Sequence, residues 1–106
     1  MPPQPFTLHV ADSVLDDLRA RLDHVRWPDE PPGGEPWQYG TDLTYLRGLV
    51  DYWRSGFDWR AQEARLNALP QFTVPIDDVN VHFVHVPGAG PEPLPLLLSH
   101  GWPGSV

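Results

Sequence analysis

Residues 96–106 read LLLSHGWPGSV, and this stretch decides the fold class. With Leu94 and Pro95 before it, the stretch opens on a short continuous apolar run, Leu94 to Leu98. Half-exposed strands alternate apolar with polar residues, whereas an unbroken run is the pattern of a strand covered on both faces in an α/β sheet. His100-Gly101-Trp102-Pro103-Gly104 then makes a turn at the carboxyl end of that strand. Gly101 lets the backbone approach a ligand closely, and Pro103 fixes the local path. A main-chain N–H is left aimed away from the strand end, at the edge where open α/β sheets bind ligands. A preorganised donor there suits the stabilisation of an oxyanion. An ordinary strand-to-helix turn uses the same residue types, so these residues alone leave both readings open.

Working back, the segment after Pro70 alternates: Phe72, Val74 and Ile76 point one way, and Gln71, Thr73, Pro75 and Asp77 the other. Pro75 removes a ladder donor, which places this strand at a sheet edge. A turn at Asp77-Asp78 leads into a second strand, Asn80 to Val86, and PGAGPEP, residues 87–93, is a loop.

Before Pro70 the periodicity is helical. Leu15, Leu18, Leu22 and Val25 form one apolar stripe, with Ser13 and Asp16 resembling a capping box, Asp12 as an alternative cap, and Pro28 as the stop. Asp12, Asp16 and Asp17 at the start and Arg21, His24 and Arg26 at the end complement the helix dipole, and their charged face is a solvated one. A second helix starts at about Thr41 as N-cap, carries Leu43, Leu46, Leu49, Val50 and Trp53, and stops at Ser55-Gly56. Asp58 caps a third, with Trp59, Leu66 and Leu69 on one side and Gln62 and Glu63 interrupting the stripe. Between the first two helices, PDEPPGGEPWQYG has no periodicity; Trp37 and Tyr39 within it argue for a strap pinned across a core rather than a free linker.

The totals narrow the function classes. With 106 residues the chain supports one small domain or part of one. A net charge of −7 with only 7 Lys plus Arg leaves no basic footprint for nucleic acid. The absence of Cys excludes disulfides, thiolate catalysis and Cys-ligated zinc. Neither a signal peptide nor a membrane-spanning run is visible, so the expectation is a soluble, cytoplasmic chain with no membrane partner. His82 and His85, three apart on a strand, point to opposite faces, and His9 and His24 have no partner at ligand spacing; all four read as structural, with no metal and no cofactor expected.

Four stretches carry a resemblance: LDDLRARLDHVRWPDE (15–30), YLRGLVDYWRSGFDWRAQEARLNALPQFTVPID (45–77), VHFVHVPG (81–88) and LPLLLSHGWPGS (94–105). They resemble the N-terminal region of the epoxide hydrolases of the microsomal and juvenile-hormone type, which have the α/β-hydrolase fold. The resemblance implies an α/β class in which residues 1–70 form a helical strap layer. Residues 71–106 would supply the first strands and oxyanion turn of an incomplete α/β-hydrolase sheet. Enzymes of this type open an epoxide by attack of an Asp, with two lid tyrosines holding the oxygen, and a His-carboxylate pair then drives water onto the ester. The family's His-Gly-x-Pro motif falls on His100, Gly101, Trp102 and Pro103, and the Trp102 N–H would be one oxyanion donor.

No nucleophile turn, lid tyrosine pair or catalytic His accompanies that motif here, and Tyr39, Tyr45 and Tyr52 belong to the helical region. The expectation is therefore the front piece of a hydrolase acting on a small-molecule epoxide. It would pack on the remainder of the catalytic domain, be inactive alone, and be open to forming an oligomer. The alternatives are a non-enzymatic interaction module, or the front of an esterase or dehalogenase. A Gly-x-Asp-x-Gly turn further along the gene, where an esterase has Ser, discriminates the hydrolase readings.

Overall fold

In a computed structural model, residues 1–105 are described. Six elements follow one another: β1 (Gln4–Pro5), α1 (Asp12–Asp23), α2 (Leu43–Ser55), α3 (Trp59–Asn67), β2 (Gln71–Ile76) and β3 (Val79–Val84). They fall into two compact units, residues 10–59 and residues 1–9 with 60–106.

In the first unit α1 packs on α2. Leu15 and Leu22 of the α1 stripe are buried, and Leu18 is half-buried. Val25 lies beyond the helix end and is exposed. No side chain caps α1: its N-cap is Ala11, so the Ser13–Asp16 box and Asp12 do not fill that role, because the helix begins one residue before Ser13. The charged face is solvated as expected, with Asp16–Arg19 at 2.9 Å and Asp17–Arg21 at 2.7 Å, both exposed. The Asp17 hydrogen bond, reinforced by its charge, raises the Arg21 pKa above its ordinary value.

For α2 the cap is Asp42, not Thr41. Its carboxylate accepts from the Tyr45 N–H at 3.0 Å, satisfying one of the orphan donors of the first turn. Another donor, the Leu43 N–H, reaches the Glu30 carboxylate in the strap at 2.7 Å. The strap is thus tied to α2, and Trp37 stacks obliquely on Tyr45 with ring centroids 5.0 Å apart. It does not cover a core, however: Trp37 and Tyr39 are 55% and 70% exposed. Between α1 and α2 an apolar groove of about 640 Å³ stays open, lined by Leu18, Leu49, Tyr52, Trp53 and Phe57 among others.

The second unit is a three-stranded antiparallel sheet of order β1-β2-β3 with most of α3. β2 and β3 pair from Gln71↔Val84 to Ile76↔Val79, leaving Asp77-Asp78 as a two-residue turn. Asp77 takes a φ of 51°, a conformation that Asp tolerates better than most residues. The expected edge position of Pro75 is corrected in an instructive way. β2 is the central strand, but β1 pairs only with Phe72 and Thr73, so Pro75 lies where β2 has β3 alone. β1 has no alternating pattern to announce it; its register comes from long-range pairing, extended by the Phe6 N–H to the Gln71 carbonyl at 2.9 Å.

Two amides hold this unit together. Asn67 mimics a strand neighbour for Leu8, accepting from its N–H and donating to its carbonyl, both at 2.8 Å. Truncation leaves both main-chain groups without that partner, so Asn67→Ala is expected to lower stability by about 1–3 kcal/mol, measured by urea unfolding. Gln71, buried, donates to the Leu66 carbonyl at 2.7 Å, which assigns its oxygen as the acceptor facing His82 Nε2 at 2.9 Å. That contact suits a donor at His82 Nε2, since an amide oxygen only accepts.

The stripe expected on α3 is also corrected. Leu66 and Leu69 are exposed, and the buried residue is Glu63, one of the two polar positions that break the pattern. Finally, Leu94–Leu98 forms no strand, and its four leucines are 80 to 92% exposed. A strand buried on both faces needs paired neighbours and covering layers. Here Pro95 removes one ladder donor from within the run, and the sheet of the described residues holds only β1, β2 and β3.

Candidate functional site

The turn singled out in the sequence is present and exposed. Gly104 N–H donates to the Gly101 carbonyl at 2.5 Å, closing a four-residue turn over Trp102 and Pro103, with the Trp102–Pro103 peptide cis. Trp102 is 96% exposed, and among the described residues its N–H donates no hydrogen bond. His100 stands beside the turn, its Nδ1 3.5 Å from the Gly101 carbonyl. These contacts bring His100, Gly101, Trp102 and Pro103 into one structure.

The glycines differ in what they do. A Cβ added at Gly101 would meet nothing within 4 Å, and its φ is not in the left-handed region. The bare backbone at Gly101 is therefore open to an approaching group and is not demanded by the turn itself. A Cβ at Gly104 would stand 2.6 Å from the Gly101 oxygen. Gly104 is the glycine that the turn requires, a requirement that becomes visible only once the turn is closed.

The other histidines fall into structural roles. His82 binds Gln71 and meets Phe6 edge-on at 5.0 Å between centroids, while His24 Nδ1 lies 2.8 Å from the Ala20 carbonyl. His9 stands 3.9 Å from Glu63, a proximity between residues 54 positions apart that no local spacing announces. The Glu63 carboxylate takes both its oxygens to Arg60 Nη1, at 2.8 and 3.0 Å, which compensates a charge held out of water. The ring of Tyr45 meets that of Trp37, and the ring of Tyr52 meets that of Phe57. Among the described residues no group of three His, Asp or Glu is placed to hold a metal ion, and no helix is long and apolar enough to cross a membrane.

Comparison with known proteins matches residues 3–106 to the family described as Epoxide hydrolase N terminus. A Stigmatella aurantiaca protein provisionally named an epoxide hydrolase is 45% identical over 102 residues, covering 96% of this chain and 23% of that protein. Juvenile hormone epoxide hydrolase 2 of Ctenocephalides felis is 37% identical over 105 residues, covering 96% of this chain and 22% of its own length. The solved Aspergillus niger epoxide hydrolase superposes with a TM-score of 0.68 at 38% identity, over 79% of this chain and 22% of that one. The chain thus spans about a quarter or less of the length of these relatives.

Proposed function

This chain belongs to the epoxide hydrolase N-terminus family, on the α/β-hydrolase fold, and from that premise we propose that it is the front portion of an enzyme adding water to epoxides. Residues 1–70 are its helical strap region, and residues 71–106 open the catalytic core. The observation that carries this reading is the exposed turn at Trp102, whose main-chain N–H has no partner among the described residues.

The chemistry proceeds in two steps. A carboxylate from the rest of the enzyme attacks an epoxide carbon; the carbon–oxygen bond breaks, and the released alkoxide takes a proton from a lid tyrosine. This leaves an ester of the enzyme. A histidine base then takes a proton from water as the water oxygen adds to the ester carbonyl carbon, and the carbonyl electron pair moves onto oxygen. The Trp102 N–H donates to that oxyanion, together with a second donor following the nucleophile. Collapse of the adduct expels the diol oxygen, which takes the proton back from the histidine; the carboxylic acid left behind releases the water's second proton, which restores the tyrosine deprotonated in the first step, and the carboxylate is regenerated. His100, Gly101 and Pro103 shape the turn that presents the donor.

The open groove between α1 and α2 and the bare leucines at 94, 96, 97 and 98 are the surfaces that the remainder of the catalytic domain would cover. A cytoplasmic setting and a detoxifying role belong to the same proposal. An esterase or dehalogenase with the same turn is the competing reading.

Isotope labelling tests it. With full-length enzyme in excess over styrene oxide in ¹⁸O-water, the first-turnover diol is expected to contain unlabelled oxygen drawn from the enzyme carboxylate, and the label is expected on the protein. Label appearing directly in the first diol would overturn the covalent route. Full-length protein that forms no diol at all would overturn the epoxide assignment. Residues 1–106 alone, without nucleophile or base, are expected to leave the epoxide unreacted.

A further inference from the structure

We propose that Gly104 is a positioning residue for the Trp102 donor, acting through its own N–H and through the space its missing Cβ leaves; the inference rests on the oxyanion reading above. Gly104 and the Trp102 N–H are coupled through one peptide plane. The Gly101 carbonyl and the Trp102 N–H belong to the same trans peptide unit, so whatever fixes the direction of that carbonyl fixes the N–H, pointing the opposite way. Rotating one by a given angle rotates the other by the same angle.

The Gly101 oxygen is held from one side by Gly104. It accepts from the Gly104 N–H at 2.5 Å, and the nearest atom to a Cβ built on Gly104 is this same oxygen, at 2.6 Å. That separation is too short for carbon against a carbonyl oxygen. The obstructing atom is backbone, so no side chain can swing aside to relieve it. A Cβ there would also stand 3.5 Å from His100 Cβ, an ordinary contact, so the Gly101 oxygen is the one close obstacle. The φ of Gly104 lies outside the left-handed region, so the demand for glycine is one of space and not of backbone handedness. The substitution Gly104→Ala must therefore push the Gly101 carbonyl aside, and with it the Trp102 N–H, without removing that donor from the chain.

An oxyanion donor works by being aimed before charge develops, so a rotated N–H slows the step in which the oxyanion forms and spares the step in which it does not. In the full-length enzyme, Gly104→Ala is expected to slow hydrolysis of the ester intermediate about tenfold to a hundredfold, while alkylation of the nucleophile stays within about twofold of the parent. A merely structural role would slow both steps together.

A second variant removes the hydrogen bond without adding bulk: an ester bond in place of the Pro103–Gly104 amide, introduced by nonsense suppression, replaces the Gly104 N–H by oxygen. It is expected to show the same split and decides the matter if Gly104→Ala does not fold. Single-turnover quenching with mass spectrometry of the ester reads both steps. Ester hydrolysis at the parent rate in the folded variants overturns the inference. Trp102→Pro, measured alongside, separates the causes. If it slows hydrolysis and the Gly104 variants do not, only the role of Gly104 fails; if it too is unimpaired, the oxyanion reading itself fails.

Discussion

If Trp102 supplies the oxyanion donor of the full-length enzyme proposed above, Trp102→Pro is expected to slow breakdown of the ester intermediate by about a hundredfold to a thousandfold, the usual cost of losing one main-chain oxyanion donor. Proline has no N–H, so the donor is absent rather than misdirected. Attack on the epoxide carbon makes no carbonyl oxyanion, so the first step is largely spared and the ester accumulates. The companion variant Trp102→Phe keeps the N–H. Because the indole is 96% exposed, its loss removes little packing, and Phe is expected to alter substrate fit more than ester breakdown. Rapid mixing followed by mass spectrometry of the alkylated enzyme measures the two steps separately. A Pro variant that folds, alkylates and yet hydrolyses its ester at the parent rate would remove the oxyanion role from this turn.

The parts of this fold that were legible in the sequence are those that local chemistry determines. Leu15, Leu18 and Leu22 lie on one helical face, and Gly56 ends α2 as C-cap. The alternation after Pro70 becomes the β2–β3 hairpin around Asp77-Asp78. Caps were less legible because neighbouring residues compete for one position. Thr41 and Asp42 are both good N-caps, and only the reach of the Asp42 carboxylate to the Tyr45 N–H separates them. Features set by distant partners were not legible at all. The pairing of β1, the Asn67 clamp on Leu8 and the burial of Glu63 each depend on segments that meet only after folding.

The turn shows the same division. Its presence is legible in the Gly and Pro residues from His100 to Pro103, whereas the steric demand at Gly104 arises from a carbonyl three residues back and needs the closed turn to be seen. The run from Leu94 to Leu98 misled as a strand because apolar composition records what a segment is suited to be covered by, not whether partners lie beside it.

That exposed run leads to the second large effect: residues 1–106 prepared as a polypeptide are expected to self-associate at micromolar concentration. Leu94, Leu96, Leu97 and Leu98 stand 80 to 92% exposed on a segment outside the sheet, a concentration of exposed apolar side chains of the kind that marks an interface or an aggregation site. Burying one leucine side chain stabilises by about 1.5–3 kcal/mol, so several together offset the entropic cost of bringing chains together. Net charge opposes this weakly, since −7 spread over the chain is screened within about 8 Å at physiological salt.

The double substitution Leu96→Lys with Leu98→Lys separates these forces. It removes two apolar anchors and lowers the magnitude of the net charge from −7 to about −5, because each lysine adds one positive charge. Charge alone would then favour association, whereas loss of apolar contact disfavours it by about tenfold or more per leucine. Sedimentation velocity over a dilution series is expected to show concentration-dependent oligomers for the parent and a shift toward monomer for the variant. A parent that sediments as a single monomeric species at tens of micromolar, or a variant that associates as strongly as the parent, would show that this patch does not drive assembly.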